Sequence, residues 1–153
     1  MLFRSTPQDT DFGKSLILFS KGAKITPKGL EWIKFQLATT YGLDKATMQE
    51  RLDWVEIKEN LDLVFRVVKD PVGNIADWEN ADEPWLFLAA ANEFVNLILG
   101  RTDITCLPVA VDATCSGLQI LAGLAKDAST ARMVNVIGSD RPQDAYKIVA
   151  EYS

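Results

Sequence analysis

A single short run of this sequence has the character of a β-strand, whereas the other apolar segments carry helical signals. The run is CLPVAVDA, residues 106–113, which is rich in β-branched residues and ends in an aspartate. One strand cannot form a sheet by itself, so this strand needs a pairing partner that the sequence pattern does not reveal. The sequence therefore predicts a mainly α fold with a short β element, in the α+β class.

The strongest helix signal lies at residues 84–99. Pro84 suits the first helical position, apolar residues then follow almost all round the helix, and Gly100 stands where a C-terminal cap is expected. Polar residues interrupt this stretch, and it is shorter than the about 20 apolar residues that a membrane span needs. We therefore expect a buried core helix.

Capping signals predict further helices on both sides of this core helix. Thr26 precedes Pro27 at the start of a helix that runs toward Gly42, and capping-box patterns stand at residues 47–50 and 116–119. Other helices are predicted around 16–19, 60–69, 128–133 and 143–151. The chain thus reads as a series of helices with one strand before the helix that starts at residue 116.

The charge balance argues against a free-standing nucleic-acid binder. The formal net charge is -5, whereas such binders normally carry a basic face. Residues 1–35 nevertheless hold six lysines and arginines against three acids, which leaves room for one basic surface. Charge alone favours a solvated face.

The chain contains no histidine and two cysteines. Without an imidazole, it cannot supply a Ser-His-Asp or Cys-His catalytic group or a histidine ligand to zinc. Carboxylates remain as the obvious chemical groups, and they prefer hard cations such as magnesium. Two cysteines are too few for a disulfide framework and no signal-peptide pattern opens the chain, so we expect a reducing cytoplasm.

Chemistry is most plausible where the predicted strand, a turn and a helix meet, at residues 107–120. An aspartate at the carboxyl end of a buried strand, here Asp112, projects where ligands bind and can coordinate a divalent ion. The following carbonyl, that of Ala113, offers another hard oxygen. The same spacing also fits an aspartate that only caps the next helix or satisfies the turn.

The segment LPVAVDATCSGLQ, residues 107–119, closely resembles motif A of the single-subunit RNA polymerases of bacteriophages and mitochondria. That motif is an apolar strand, then Asp, a small residue, Ser or Thr, Cys, Ser or Asn, Gly, an apolar residue, Gln and usually His. The residues that fit are Asp112, Thr114, Cys115, Ser116, Gly117 and Gln119. Flanking stretches, from TPQDTDFGKSLILFSKGAKITPKG to QDAYKIVAEY, are similar in order and spacing, so the resemblance covers nearly the whole chain.

The resemblance implies a DNA-directed RNA polymerase, which makes RNA on a DNA template from nucleoside triphosphates with two magnesium ions. It makes Asp112 the catalytic residue and a ligand of both ions, and Ala113 a ligand through its backbone carbonyl. A second aspartate comes from a later motif of the family. Lys14 and Lys126 fall where family members carry basic residues near nucleic acid, although a lone surface lysine is often merely solvated.

The resemblance also implies a place in the palm and fingers region of a right-hand polymerase. Residues 1–104 would be a mostly helical palm-associated region, 105–127 the strand–turn–helix of motif A, and 128–153 the start of the helical region that leads toward the fingers. The complete enzyme would bind DNA template, RNA product, nucleoside triphosphates and the remaining polymerase segments, and no membrane. We expect it in the cytoplasm, which is the host's if a phage encodes the chain.

The sequence departs from the family pattern in two respects. Ile120 stands where a histidine usually follows the motif A glutamine. The Asp and Arg expected just upstream of residues 1–20, the fingers helix with its lysine and tyrosine, and the second metal-binding aspartate are not among these 153 residues. We therefore expect the isolated chain to be inactive.

Other interpretations of these residues remain open. Ser116 and Gln119 suit a capping box, Cys115 a small buried residue without a base to activate it, and Gly117 close packing. DNA-polymerase relatives normally follow the motif A aspartate with a Tyr-Ser-Gln-Ile-Glu type run, which ATCSGLQ does not resemble. From a different class, the chain could be a non-catalytic helical interaction module or the remnant of a split polymerase gene.

Overall fold

The computed structural model describes residues 10–110, 115–139 and 143–151. Within these ranges the chain is mostly helical with one small sheet, which confirms the predicted class. The elements, in chain order, are α1 Asp11–Ser15, β1 Ala23–Lys24, α2 Pro27–Tyr41, α3 Met48–Glu56, α4 Lys58–Lys69, α5 Pro84–Ile98, β2 Ile104–Thr105, α6 Ser116–Ala125, α7 Ala128–Met133 and α8 Ala145–Glu151.

Local capping chemistry sets the starts of α2 and α3 as predicted. The hydroxyl of Thr26 accepts a hydrogen bond from the amide of Gly29, 3.0 Å away, and Pro27 occupies the first turn. At the start of α3, the Thr47 hydroxyl accepts from the Glu50 amide at 3.3 Å, while the Glu50 carboxylate accepts from the Thr47 amide at 2.7 Å. This reciprocal pair is a complete capping box.

Helix α5 is the buried core helix that the sequence predicts. Its C-terminus closes as a Schellman motif, because the Arg101 amide donates to the Asn96 carbonyl at 2.9 Å and the Gly100 amide to the Leu97 carbonyl at 3.1 Å. Gly100 has a φ of 65°, in the left-handed region that glycine adopts without a steric penalty. The buried side chains of α5 are Phe87, Ala90, Ala91, Phe94 and Val95.

The small sheet differs from the prediction. Strand β1 pairs antiparallel with β2, so that Ala23 lies opposite Thr105 and Lys24 opposite Ile104. Residues 106–110 of the predicted strand are not in a strand, and 111–113 lie outside the described residues. The prediction of a strand was therefore wrong over 106–110, and the sheet that does form is built from two-residue strands just before this run.

The main chain of residues 106–110 makes individual hydrogen bonds in place of a strand ladder. The Cys106 carbonyl accepts from the Phe19 amide at 2.9 Å, and the Ala110 amide donates to a side chain of α2. Pro108 between them has no amide proton to donate, which disfavours a regular ladder.

The short helix predicted around the apolar run 16–19 forms just before it, at Asp11–Ser15, so its placement on 16–19 was wrong. Helix α1 ends at Ser15, and Leu16, Leu18 and Phe19 follow it with side chains 59% to 67% exposed. The chain leaves the helix there because the Phe19 amide bonds to the Cys106 carbonyl, which leads the chain into β1. Apolar composition alone did not reveal that this run connects a helix to a strand.

Residues up to Ala110 form one compact unit, in which α2 packs against α3 and α5, and α4 packs against α3 and α5. An aromatic chain joins three of these helices: Tyr41 lies 5.1 Å from Phe87 and 4.8 Å from Trp54 between ring centroids. The buried apolar core consists of Ile33, Leu37, Ala38, Val55, Val64, Val67, Trp78, Phe87, Ala90, Ala91, Phe94, Val95 and Leu107.

A buried arginine ties α3 to α2. Arg51 donates to the Thr39 hydroxyl at 2.9 Å and to the Asp44 carbonyl at 2.7 Å, and its guanidinium lies 4.2 Å from the centre of the Phe35 ring. Burial lowers the pKa of Arg51 below the usual arginine value, and the charge of Asp44 opposes this shift. The side chain serves as structural support for the first unit.

Residues from Cys115 onward belong to a second compact unit, in which α6 packs against α7. The predicted capping box at its start was wrong, because Cys115 occupies the N-cap with a φ of 53° and makes no side-chain cap bond. The side chain of Gln119 instead donates to the Val134 carbonyl at 2.7 Å, at the end of α7. Val134 is the C-cap of α7, and carbonyls at the end of a helix need a hydrogen-bond donor from outside that helix.

Two further expectations about α6 are corrected. A Cβ added to Gly117 would meet no atom within 4 Å among the described residues, so close packing there was wrong. Cys115 is partly exposed, where a buried residue was expected. Ile120 is 64% exposed, and the neighbouring Leu121 and Leu124 are exposed as well.

None of the helices in the described ranges is both long enough and apolar enough to cross a membrane.

Candidate functional site

The two residues predicted to hold metal, Asp112 and Ala113, lie outside the described residues. The described residues that flank them in the sequence are 107–110, in the first unit, and Cys115, in the second, and each is described within its own unit. Leu107 is 8% exposed and belongs to the core, and Val109 packs against the same core. The main chain that precedes Asp112 is thus held by the first unit.

A buried amide on α2 fixes the end of the first flanking segment. The Gln36 side-chain oxygen accepts a hydrogen bond from the Ala110 amide at 3.1 Å, across 74 residues of sequence. Gln36 is 2% exposed, so this contact lies inside the unit. Sequence reasoning missed Gln36, since the only signal was a polar residue on the apolar face of a helix.

A cavity of about 160 Å³ lies beside this segment. Its lining includes Lys14, Gln36, Leu86, Leu107, Pro108 and Ala110. Of the two predicted nucleic-acid contacts, Lys14 is therefore next to the chain that leads to Asp112. Its ammonium lies 3.9 Å from the Glu83 carboxylate, and its side chain is 48% exposed, so this ion pair is weak and leaves the charge accessible.

Asp11 positions Lys14 by attaching α1 to the start of α5. The two oxygens of the Asp11 carboxylate accept from the amides of Trp85 at 2.8 Å and Leu86 at 3.0 Å. These amides have no helical partner, and Glu83 at the N-cap makes no side-chain cap bond. Sequence reasoning missed this role, because the cap comes from more than 70 residues away.

On the other flank, Cys115 contacts the start of α8. A side-chain hydrogen bond with Cys115 raises the pKa of Tyr146, and the charge of the nearby thiolate form acts in the same direction. Tyr146 is 74% exposed and stays protonated at neutral pH, so its phenol remains a hydrogen-bond donor. Asp144 caps this helix by accepting from the Tyr146 and Lys147 amides at 3.1 Å.

The second predicted nucleic-acid contact, Lys126, is the C-cap of α6. It is exposed and has a φ of 55°, in the left-handed region that is costly for residues with a Cβ. Asp127 follows it as the N-cap of α7, and a hydrogen bond from the Thr130 hydroxyl lowers the pKa of Asp127. Lys126 belongs to the second unit and Lys14 to the first.

In the three described ranges, no three aspartate, glutamate or cysteine side chains gather so as to hold a metal ion. The residues predicted as magnesium ligands lie outside the described residues, and the segment 107–110 that precedes them lines one cavity together with Gln36 and Lys14.

The sequence matches the model of a protein family described as DNA-dependent RNA polymerase, over residues 23–153. The chain therefore belongs to the DNA-dependent RNA polymerase family. It is similar to the mitochondrial DNA-directed RNA polymerases of Neurospora crassa, at 38% identity over 144 residues, and of Homo sapiens, at 34% over 145. It is also similar to the RNA polymerase of Escherichia phage T7, at 34% identity over 146 residues.

These relatives are much longer than the chain. The matches cover 92% of this chain in the Neurospora and human comparisons and 95% in the phage comparison. They span only 10%, 12% and 16% of the Neurospora, human and phage proteins respectively. The resemblance to the phage and mitochondrial single-subunit polymerases is thereby confirmed.

Proposed function

We propose that this chain works as part of a DNA-directed RNA polymerase that extends RNA on a DNA template from nucleoside triphosphates. The observation that carries the proposal is the family match over residues 23–153, which includes the whole motif A segment. In that enzyme the chain contributes part of the palm and the start of the fingers, as motif A implies. The isolated 153 residues are proposed to be inactive, because the second aspartate comes from another motif.

Asp112 is the proposed catalytic residue and Ala113 its neighbour in metal binding. Asp112 would hold two magnesium ions by its carboxylate and Ala113 would add its backbone carbonyl, since hard oxygens suit this ion. When bound, the ions lower the barrier to attack by the RNA 3′-hydroxyl and steady the pyrophosphate that leaves. Residues 107–110, which precede Asp112 in the sequence, are anchored in the first unit.

The proposal is tested by primer extension with the full protein that its gene encodes. An RNA primer on a DNA template should be extended with ribonucleoside triphosphates in the presence of magnesium, and not when magnesium is chelated. Parallel reactions with deoxynucleoside triphosphates test the DNA-polymerase alternative. Absence of extension with both substrate sets would favour a non-catalytic interaction module or a gene remnant and would refute the proposal.

Lys14 and Lys126 are proposed to contact nucleic-acid phosphates. Lys14 presents an accessible ammonium beside the segment that leads to Asp112. Lys126 is exposed at the C-cap of α6, so its charged side chain is accessible to a phosphate. Lysine ammonium groups bind phosphates as point charges.

We expect Lys14→Gln and Lys126→Gln each to weaken binding to the primer–template and to reduce the salt dependence of the binding affinity. Each lost phosphate contact removes one released counterion, so the slope of log affinity against log salt should fall by about 1. Fluorescence anisotropy of labelled primer–template at several salt concentrations measures this slope. Lys28→Gln is the matched control, since Lys28 is exposed and paired with Glu31 at 2.7 Å. Equal slopes in all three variants would contradict the assignment.

The cellular location follows from the polymerase proposal. Two of the relatives named above are mitochondrial and one is from a phage. We propose the cytoplasm, and the host cytoplasm if the gene is a phage gene. Fractionation of cells that express the tagged full protein tests this: recovery in mitochondria would contradict it.

A further inference from the structure

We propose that Gln36 is a positioning residue for the catalytic carboxylate, because its buried amide fixes the main chain two residues before Asp112. This inference rests on the proposed function. In this proposal, one residue of α2 holds the motif A segment in place of the hydrogen bonds that a neighbouring strand would otherwise provide. Gln36 itself does not touch substrate, metal or the reacting atoms in this scheme.

The burial of Gln36 calls for a partner inside the fold. Its side chain is 2% exposed and lies on α2 between the core residues Ile33 and Leu37. Burying an amide without a hydrogen bond costs roughly 1–3 kcal/mol, so a leucine would suit a purely apolar position better. The Ala110 amide, 3.1 Å from the Gln36 oxygen, is the partner that offsets this cost.

The Ala110 amide has a matching need. Residues 106–110 have no strand ladder, so the amide of Ala110 depends on a side chain for its hydrogen bond. Two residues of extended chain span at most about 7 Å, so the covalent chain keeps Asp112 within that distance of the anchored Ala110. Misplacement of a catalytic group by about 1 Å can cost about 100-fold in rate.

The test compares Gln36→Met with Thr40→Val in the full encoded protein. Gln36→Met keeps the length of the side chain and removes the acceptor. Thr40 is the matched control, because it is also a fully buried polar residue of α2, and its hydroxyl donates to the Gln36 and Leu37 carbonyls of its own helix, at 2.9 and 3.1 Å. Both variants lose a buried polar group, and only Gln36→Met releases Ala110.

We expect Gln36→Met to lower the primer-extension rate by about 10- to 100-fold, the usual loss when a support of a metal ligand is removed. The magnesium concentration for half-maximal extension should rise, whereas affinity for the primer–template should not change. Hydrogen exchange of a peptide that covers residues 107–110 should become faster in the same variant.

Thr40→Val should leave the magnesium requirement and the exchange of residues 107–110 unchanged, even if it lowers the melting temperature. A merely structural Gln36 would behave like Thr40 in all these measurements. Unchanged exchange, or faster exchange with normal extension and magnesium dependence, would overturn the inference. Asp112→Asn in the same assay separates the two proposals: if that variant extends normally, the catalytic role proposed for Asp112 fails, and if it alone is inactive, only the role of Gln36 fails.

Discussion

Replacement of Asp112 by asparagine is expected to abolish RNA extension while template binding persists. Asparagine has nearly the same shape and loses the negative charge that a carboxylate offers to hard cations. Because loss of even an outer support of a metal ligand costs about 10- to 100-fold, loss of the ligand itself should lower the rate by about 1000-fold or more. Single-turnover primer extension with the full protein measures this change.

Binding to the template should survive the same substitution, since affinity for nucleic acid comes mainly from contacts to phosphates. Asp103→Asn is the matched control: this carboxylate is 65% exposed, pairs weakly with Lys24 at 3.4 Å, and should be dispensable for extension. Normal extension by Asp112→Asn, or equal losses in both variants, would remove Asp112 from the catalytic role. The motif A segment of the chain would then need a role other than metal binding by Asp112.

The parts of the fold that were predicted correctly are those whose signals are local. Thr26 with Pro27, and Thr47 with Glu50, begin helices because each cap satisfies amides within the next three residues. Gly100 ends α5 through bonds that span only a few residues. Such information is contained in a short stretch of sequence and needs no knowledge of the rest of the fold.

The parts that were missed or wrong depend on contacts between distant segments. The pairing of β1 with β2 joins two-residue strands, which are too short to show a period. Asp11 caps a helix that begins more than 70 residues later. Gln119 shows the same effect at short range, because a carbonyl at the end of α7 competes successfully with the local capping box.

The candidate site divides in the same way. Asp112 was recognised through its motif, since strand, aspartate and turn stand in one continuous segment. The hydrogen bond between Gln36 and the Ala110 amide was not predicted, because nothing near residue 36 indicates it. The sequence thus predicts the chemical group through a resemblance, and the structure shows which residues hold the preceding chain in place.

The largest stability effect is expected from Phe87→Ala. Phe87 is fully buried in α5, and its ring lies 5.1 Å from that of Tyr41 on α2. Removing a buried phenylalanine side chain loses its transfer free energy and leaves a cavity, at a cost of about 3–5 kcal/mol. Since a typical domain is stable by about 5–15 kcal/mol, this is a large part of the total for the first unit.

Tryptophan fluorescence during urea unfolding of the 153-residue chain can measure this cost. All four tryptophans, Trp32, Trp54, Trp78 and Trp85, lie in the first unit, so the signal reports that unit and not the second. Phe19→Ala is the matched control, because it makes the same substitution at a side chain that is 63% exposed and should cost about 0.5 kcal/mol or less. Similar losses of stability in the two variants would mean that Phe87 is not a core residue and that α5 does not pack on α2 as described. The packing of residues 107–110 against the same core would then also be in error.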